Sequence, residues 1–213
     1  MSDSVLPKFS LDQVKMSDKI VMVGGPSSDK TAMGIRLLTK KMKYGVTEGI
    51  VAADTKKKVS RYTRALAEVC PDNQVTIATR IHRPSLLNFV KEAKKEGTSK
   101  RFLLVDSVLL KETNLTILNS VFDEGLNLMV VMLVNSVFDV PERFRDKFNY
   151  VMVDKYPQGR LNHVASLLKG SSKHMLKIAD LVAAHQDKHL VVFDNTKKVE
   201  DLEKDKKIML GQR

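Results

Sequence analysis

Residues 19–38, KIVMVGGPSSDKTAMGIRLL, place an apolar run, a glycine-rich turn, a lysine and a hydroxyl residue in immediate succession. That order suits phosphate chemistry. The N–H groups of such a turn and the N-terminus of the following helix gather anionic oxygen, the lysine reaches terminal phosphates, and the hydroxyl faces magnesium. Gly24, Gly25, Ser27 and Ser28 form the candidate cradle, Lys30 is the phosphate lysine and Thr31 the metal-facing hydroxyl. The implied ligand is ATP with Mg. One position breaks the pattern, because Asp29 stands before the lysine where such loops carry glycine. A carboxylate about 4 Å from a phosphate charge costs on the order of 4 kcal/mol at an effective dielectric of 20, unless it turns outward. The same residues also read as a plain Gly/Pro/Ser turn between strand and helix.

A second candidate is RFLLVDS at 101–107, an apolar strand ending in an acid. Asp106 is placed to hold the metal beside Thr31, in the manner of a Walker B strand. The next position, where an active ATPase of the additional-strand type carries a carboxylate to polarise the attacking water, is Ser107. A hydroxyl is no general base near neutral pH without a neighbour to take its proton. Glu112, Asp123 and Glu48 are the candidate substitutes. The third candidate lies in LMVVMLVNSVFDVPERFRDKFNYVMV, where Asn135 ends an apolar strand in the place of a terminal-phosphate sensor. Downstream, Arg143 and Arg145 are positioned to face phosphate or a neighbouring subunit. The plain alternatives are a capped turn at Asn135 and surface pairs at the arginines.

These residues need strands and helices to carry them. Short apolar runs at 19–23, 49–54, 75–79, 101–106, 127–134, 150–154 and 189–194 predict strands. Helical patterns at 30–43, 58–70, 84–96, 113–123, 160–169 and 173–185 alternate with them. Such alternation predicts parallel strands with crossover helices, an α/β sandwich of P-loop type with a mostly parallel central sheet and helices on both faces. One domain is expected over 1–195, followed by a charged tail over 196–213, whose stretch 197–207 has no apolar periodicity.

The chain of 213 residues carries Lys+Arg 36 against Asp+Glu 25, a formal charge of +11. A basic surplus fits a polyanionic partner, most often nucleic acid. Lys40, Lys41 and Lys43, and likewise Lys91, Lys94, Lys95, Lys100 and Arg101, fall late in or after predicted helices, where they complement the dipole. Lys56, Lys57, Lys58, Arg61 and Arg64 instead open a helix, where positive charge is unfavourable, and are the candidate nucleic-acid contacts. The lone Cys70 makes neither an intrachain disulfide nor a multi-thiolate zinc site, which favours a reducing compartment. The run at 128–134 is far short of the roughly 20 residues that cross a bilayer, and the N-terminus has no signal-peptide profile, so a soluble intracellular protein with no membrane partner is expected. His185 and His189 have helical metal-pair spacing without a further ligand, Met129 and Met132 read as core, and Tyr44, Tyr62 and Tyr150 are the aromatics available for base stacking.

Taken together, KMSDKIVMVGGPSSDKT, FLLVDS, EGLNLMVVMLVNSVFDVPERFRDKFNYV and HLVVFDN resemble, in order and spacing from Val14 to Asn195, the genome-packaging ATPases of large DNA viruses in the FtsK/HerA superfamily. The resemblance implies that Lys30 and Thr31 bind ATP-Mg, that Asp106 completes the metal site, that Asn135 stands at the glutamine sensor position and that Arg145 is the arginine of the Pro-x-x-x-Arg stretch. It implies a homo-oligomeric ring, or a capsid component, acting on double-stranded DNA. Three departures stand out: Asp29, Ser107, and Leu126 where a basic residue is usual. Two readings follow, an ATP-dependent DNA translocase and a relative that lost hydrolysis and serves DNA binding or virion assembly. A small-molecule kinase is weaker, since the chain has no arginine-rich lid segment.

Overall fold

Valine, isoleucine, leucine and methionine fill the apolar runs, and in the computed structural model these runs pair as strands, as side chains suited to a pleated, buried surface do. The structure describes residues 6–69, 74–94, 100–108, 112–122, 126–170, 174–196 and 208–212. The strands are β1 (Lys19–Gly24), β2 (Val46–Ala53), β3 (Val75–Ala78), β4 (Lys100–Asp106), β5 (Leu128–Val134), β6 (Tyr150–Asp154), β7 (Leu190–Asp194) and β8 (Ile208–Gly211). The helices are α1 (Lys30–Met42), α2 (Lys56–Ala67), α3 (Arg83–Ala93), α4 (Glu112–Val121) and α5 (Met175–His185). The fold is of the expected α/β class, with a mixed but mostly parallel sheet. The chain divides into two compact units.

One unit comprises Lys15–Lys19 and Lys30–Leu133. Its strands lie in the order β3-β2-β4-β5 and all run parallel. Every residue of β5 is buried, as is all of β4 except Lys100, in line with strands covered on both faces. Parallel pairing brings the C-terminal ends together: Ala53 lies opposite Asp106, and Asp106 opposite Leu133. Gly49 is required here, because a Cβ at that position would come within 2.2 Å of the Phe102 ring. Lys19 is buried, and its ammonium donates to the carbonyls of Leu128 at 2.7 Å and Ser17 at 3.1 Å. Burial pulls its pKa down to about 8, against the opposing pull of Asp18.

The other unit comprises Met1–Val14, Ile20–Asp29 and Val134–Arg213. Here β1 pairs parallel with β6, while β6 with β7 and β7 with β8 are antiparallel. An apolar run signals burial but not strand direction, so the sequence alone did not distinguish these last pairings. Within the stretch expected to be a tail, residues 197–207 and 213 lie outside the described residues, but Ile208–Gly211 is strand β8, largely buried against β7. The helical pattern at 160–169 is realised as a 3-10 helix, Gln158–Leu167. Asn195, wholly buried, closes this unit by donating to the carbonyls of Phe148 at 2.9 Å and Leu167 at 3.1 Å and accepting from the Lys169 amide at 2.8 Å. Among the described residues, no helix is long and apolar enough to cross a membrane.

Candidate nucleotide site

In the parallel unit the site is built around the last residue of β4. Asp106 is fully buried, a position a carboxylate holds only when its oxygens are satisfied. Four side chains satisfy them. Oδ2 accepts from Thr31 Oγ1 at 2.7 Å and from the Tyr62 hydroxyl at 3.0 Å. Oδ1 accepts from Lys58 Nζ at 2.9 Å and from Ser107 Oγ at 3.1 Å. Thr31 sits in the first turn of α1, where Lys30 is also buried. The sequence-predicted pair of hydroxyl and acid is therefore brought together.

Helix α2 supplies the rest. Thr55 caps its N-terminus, accepting from the Lys58 amide at 3.3 Å, so the helix starts at Lys56, two residues before the expected start. From there Lys58, Tyr62 and Leu66 fall at four-residue intervals on one stripe. Tyr62 and Leu66 are buried, and Lys58 reaches both Asp106 and Asp54, the latter at 2.9 Å. Burial by itself lowers the Lys58 pKa, but hydrogen bonds to Asp106 and Asp54 outweigh it and hold the pKa above the ordinary lysine value. Lys58 thus differs from its neighbours among the candidate DNA contacts: Lys56, Lys57, Arg61 and Arg64 are exposed, whereas its ammonium is committed to two carboxylates. Tyr62, considered for base stacking, is fully buried and cannot stack on a base. Gly34 of α1 makes room for it, since a Cβ there would lie 2.8 Å from the Tyr62 hydroxyl.

Sequence reasoning missed Asp54 and the roles of Lys58 and Tyr62. The usable signal was the apolar run IVAAD ending in acid beside a second such strand, with a lysine and a tyrosine four and eight residues on.

Ser107 adopts φ 58, a left-handed conformation, with its amide donating to the Leu133 carbonyl at 2.8 Å. Its hydroxyl donates to Asp106 and accepts from Lys58 at 3.1 Å. The carboxylate that accepts its proton, Asp106, already accepts from Thr31, Tyr62 and Lys58, which makes it a poor base for activating Ser107. Glu48 is no substitute for the missing carboxylate. It pairs with Arg101 at the opposite end of β4, five residues and roughly 17 Å of strand from Asp106. Glu112 opens α4, and Asp123 lies outside the described residues.

The glycine-rich turn belongs to the other unit up to Asp29. Gly24 and Gly25 are both buried against the end of β6. A Cβ on Gly24 would meet Ser28 Oγ at 2.2 Å and the Asp154 carbonyl at 2.8 Å, and one on Gly25 would meet the Lys155 carbonyl at 2.6 Å. The turn is closed by Ser28, whose amide and hydroxyl both donate to the Gly25 carbonyl, at 3.1 and 2.7 Å. The Gly25 amide donates to Lys155, itself at φ 46. Ser27 and Asp29 are exposed. Around an exposed side chain such as Asp29 the dielectric is high, and a unit charge at about 4 Å is worth nearer 1 than 4 kcal/mol.

In that same unit Asn135 is exposed just after β5, in a turn capped by Ser136 and Asp139; its amide donates to Asp139 Oδ2 at 3.2 Å. Arg145, half-buried, donates from Nε to the Val140 carbonyl at 3.1 Å, with its guanidinium 5.7 Å from the centre of the Phe138 ring. Arg143 is exposed and lies over Phe144. Leu126, at the position of the missing basic residue, is buried.

The donors around Asp106 suit magnesium. A threonine hydroxyl and a carboxylate 2.7 Å apart are hard oxygen ligands of the kind this ion shares with phosphate and water, and a site of this type needs no third acid. Among the described residues no group of three or more His, Cys, Asp or Glu side chains is placed to hold a metal ion.

The mixed, mostly parallel sheet with crossover helices, and a glycine-rich turn running straight into α1 along the chain, are of the P-loop NTPase-like α/β class. Solved structures of similar fold bear this out. The genome packaging NTPase B204 from Sulfolobus turreted icosahedral virus 2, in complex with ATP-gammaS, matches with a TM-score of 0.63 and 13% identity over 93% of this chain and 98% of that one. The DNA-packaging ATPase B204 from Sulfolobus turreted icosahedral virus matches with a TM-score of 0.65 and 13% identity, covering 92% and 97%. EssC (ATPases 2 and 3) from Geobacillus thermodenitrificans matches with a TM-score of 0.57 and 9% identity, covering 84% of this chain and 38% of its own. The likeness to packaging ATPases read from the sequence thus holds at the level of the fold. No protein-family model and no curated protein matches the chain.

Proposed function

We propose that this chain binds ATP with magnesium at the start of α1 and couples that binding, or hydrolysis, to movement of double-stranded DNA, as a genome-packaging ATPase does. The observation that carries the proposal is the 2.7 Å contact between Thr31 and Asp106, which pairs the metal-facing hydroxyl of α1 with the acid at the end of β4. Lys30, in the same first turn, supplies the phosphate charge. Mg²⁺, when bound, neutralises phosphate oxygen; Thr31 and Asp106 hold it. The exposed Asp29 and the exposed basic residues Lys56, Lys57, Arg61 and Arg64 are compatible with ATP and DNA binding respectively. Asn135 keeps the proposed role of sensor, and Arg145 that of an arginine facing phosphate or a neighbouring subunit, the latter requiring a homo-oligomer.

A second reading rests on Ser107. With its hydroxyl bonded to Asp106 and Lys58, the position that activates water holds no base, which supports a relative that binds nucleotide and DNA as an assembly component without appreciable turnover. The experiment is ATP turnover by the purified chain with and without double-stranded DNA. DNA-stimulated turnover abolished by Lys30→Ala supports the motor. ATP binding without turnover supports the assembly component, and absence of both overturns the nucleotide reading.

A further inference from the structure

Lys58 ends in a cradle of three oxygens: Asp106 Oδ1 at 2.9 Å, Asp54 Oδ1 at 2.9 Å and Ser107 Oγ at 3.1 Å. Thr31 and Tyr62 occupy the other Asp106 oxygen. A fully buried carboxylate therefore has both oxygens bonded by protein donors, one of them a cation. A divalent ion held by Thr31 and Asp106, directly or through water, adds positive charge beside that ammonium, and the two cations repel. The hydroxyls have no such conflict, since each donates its proton to Asp106 and keeps a lone pair for a metal or its water. Lys58 has a second carboxylate to go to. Asp54, one helical turn earlier, is about one-third exposed in its side chain and bonds the same ammonium.

We propose that Lys58 is a built-in counter-cation that competes with the divalent metal for Asp106, and that metal binding transfers its ammonium wholly to Asp54. Lys58 is thereby a residue that sets the metal affinity of the site. In the metal-free chain its ammonium bonds Asp106 Oδ1 and holds the carboxylate in place; with metal present it retreats without losing its ion pair. The inference rests on the nucleotide reading only in taking Asp106 as a metal ligand, so it is tested with Mn²⁺ alone.

Mn²⁺ is titrated into the full chain without nucleotide, and free ion is followed by electron paramagnetic resonance. Lys58→Met removes the competitor and is expected to bind Mn²⁺ about tenfold tighter or more, which is 1.4 kcal/mol or more, whereas Lys58→Arg keeps a cation and stays near wild type. Equal or weaker binding by Lys58→Met overturns the proposal. A second readout uses the unmodified sequence, and it decides the matter where Lys58→Met fails to fold. Acetylation of Lys58 by acetic anhydride, read by mass spectrometry against the exposed Lys56 and Lys57, is expected to rise several-fold when Mn²⁺ is added. Labelling that stays flat or falls overturns the proposal. ATP affinity is titrated separately, so a chain that takes Mn²⁺ at Asp106 but no ATP contradicts the nucleotide reading alone.

Discussion

Thr31 Oγ1 donates to Asp106 Oδ2 across 2.7 Å, joining the first turn of α1 to the end of β4. Thr31→Val keeps the shape and removes the donor. It should cost about 1–2 kcal/mol of stability, the usual loss when a buried acceptor forfeits a partner, and weaken Mg-ATP about tenfold, while Thr31→Ser restores both. Urea unfolding and calorimetric ATP titration check the two effects. A loss of stability without any change in Mg-ATP affinity would make the contact structural only.

Gly34 and Tyr62 should behave as a coupled pair. A methyl group at 34 meets the Tyr62 hydroxyl at 2.8 Å and Leu133 Cδ1 at 2.9 Å, so Gly34→Ala is expected to destabilise by about 1–3 kcal/mol through overpacking. Tyr62→Phe removes the nearest of the obstructing groups. The double variant should therefore lose less than the sum of the two single changes, by about 0.5 kcal/mol or more. Strict additivity in denaturant titrations would contradict the contact.

Lys19 gives the stability a pH dependence of known sign. Its folded pKa, about 8, lies below the ordinary 10.5, so between these values the unfolded chain binds a proton that the folded chain does not. Stability from this group therefore rises as pH increases from about 8 toward 10.5, with a slope approaching 1.4 kcal/mol per pH unit and a total of about 3 kcal/mol, and is flat below pH 7. Comparing wild type with Lys19→Met isolates it from other titrating groups. The difference should shift in favour of wild type from pH 7.5 to pH 10, and an unchanged difference would contradict the burial of this ammonium.

The basic cluster on α2 should divide. Replacing Lys56, Lys57, Arg61 and Arg64 together with alanine is expected to weaken double-stranded DNA binding and reduce the slope of log K against log salt by about 3–4, close to one unit per phosphate contact. Lys58→Ala should leave that slope unchanged, because its charge is held by Asp54 and Asp106. A slope that responds equally to Lys58 would place its ammonium on DNA.

The contrast between Lys58 and its neighbours shows what the sequence made legible. Seven strands were readable because each is a short apolar run, and β5 is so apolar that no other placement than full burial was open to it. The meeting of Thr31 with Asp106 was readable because the order of hydroxyl and acid along the chain is itself a chemical signal. β8 was not, since four residues beyond a charged stretch carry too little period to register, and its burial depends on β7. Lys58 was not, because a lysine in a run of three looks like surface charge until the helix phase is fixed. Thr55 fixes that phase, and the stripe of Lys58, Tyr62 and Leu66 then turns one lysine inward to Asp106.

The central claim is that Lys30 and Thr31 hold nucleotide phosphate with Asp106 behind them. Its most direct test is isothermal titration of Mg-ATP into the wild-type chain and Lys30→Ala. Saturable binding by the wild type, weakened at least about tenfold by Lys30→Ala, is the predicted result. No binding by a folded wild type, or equal binding by the two, would contradict it.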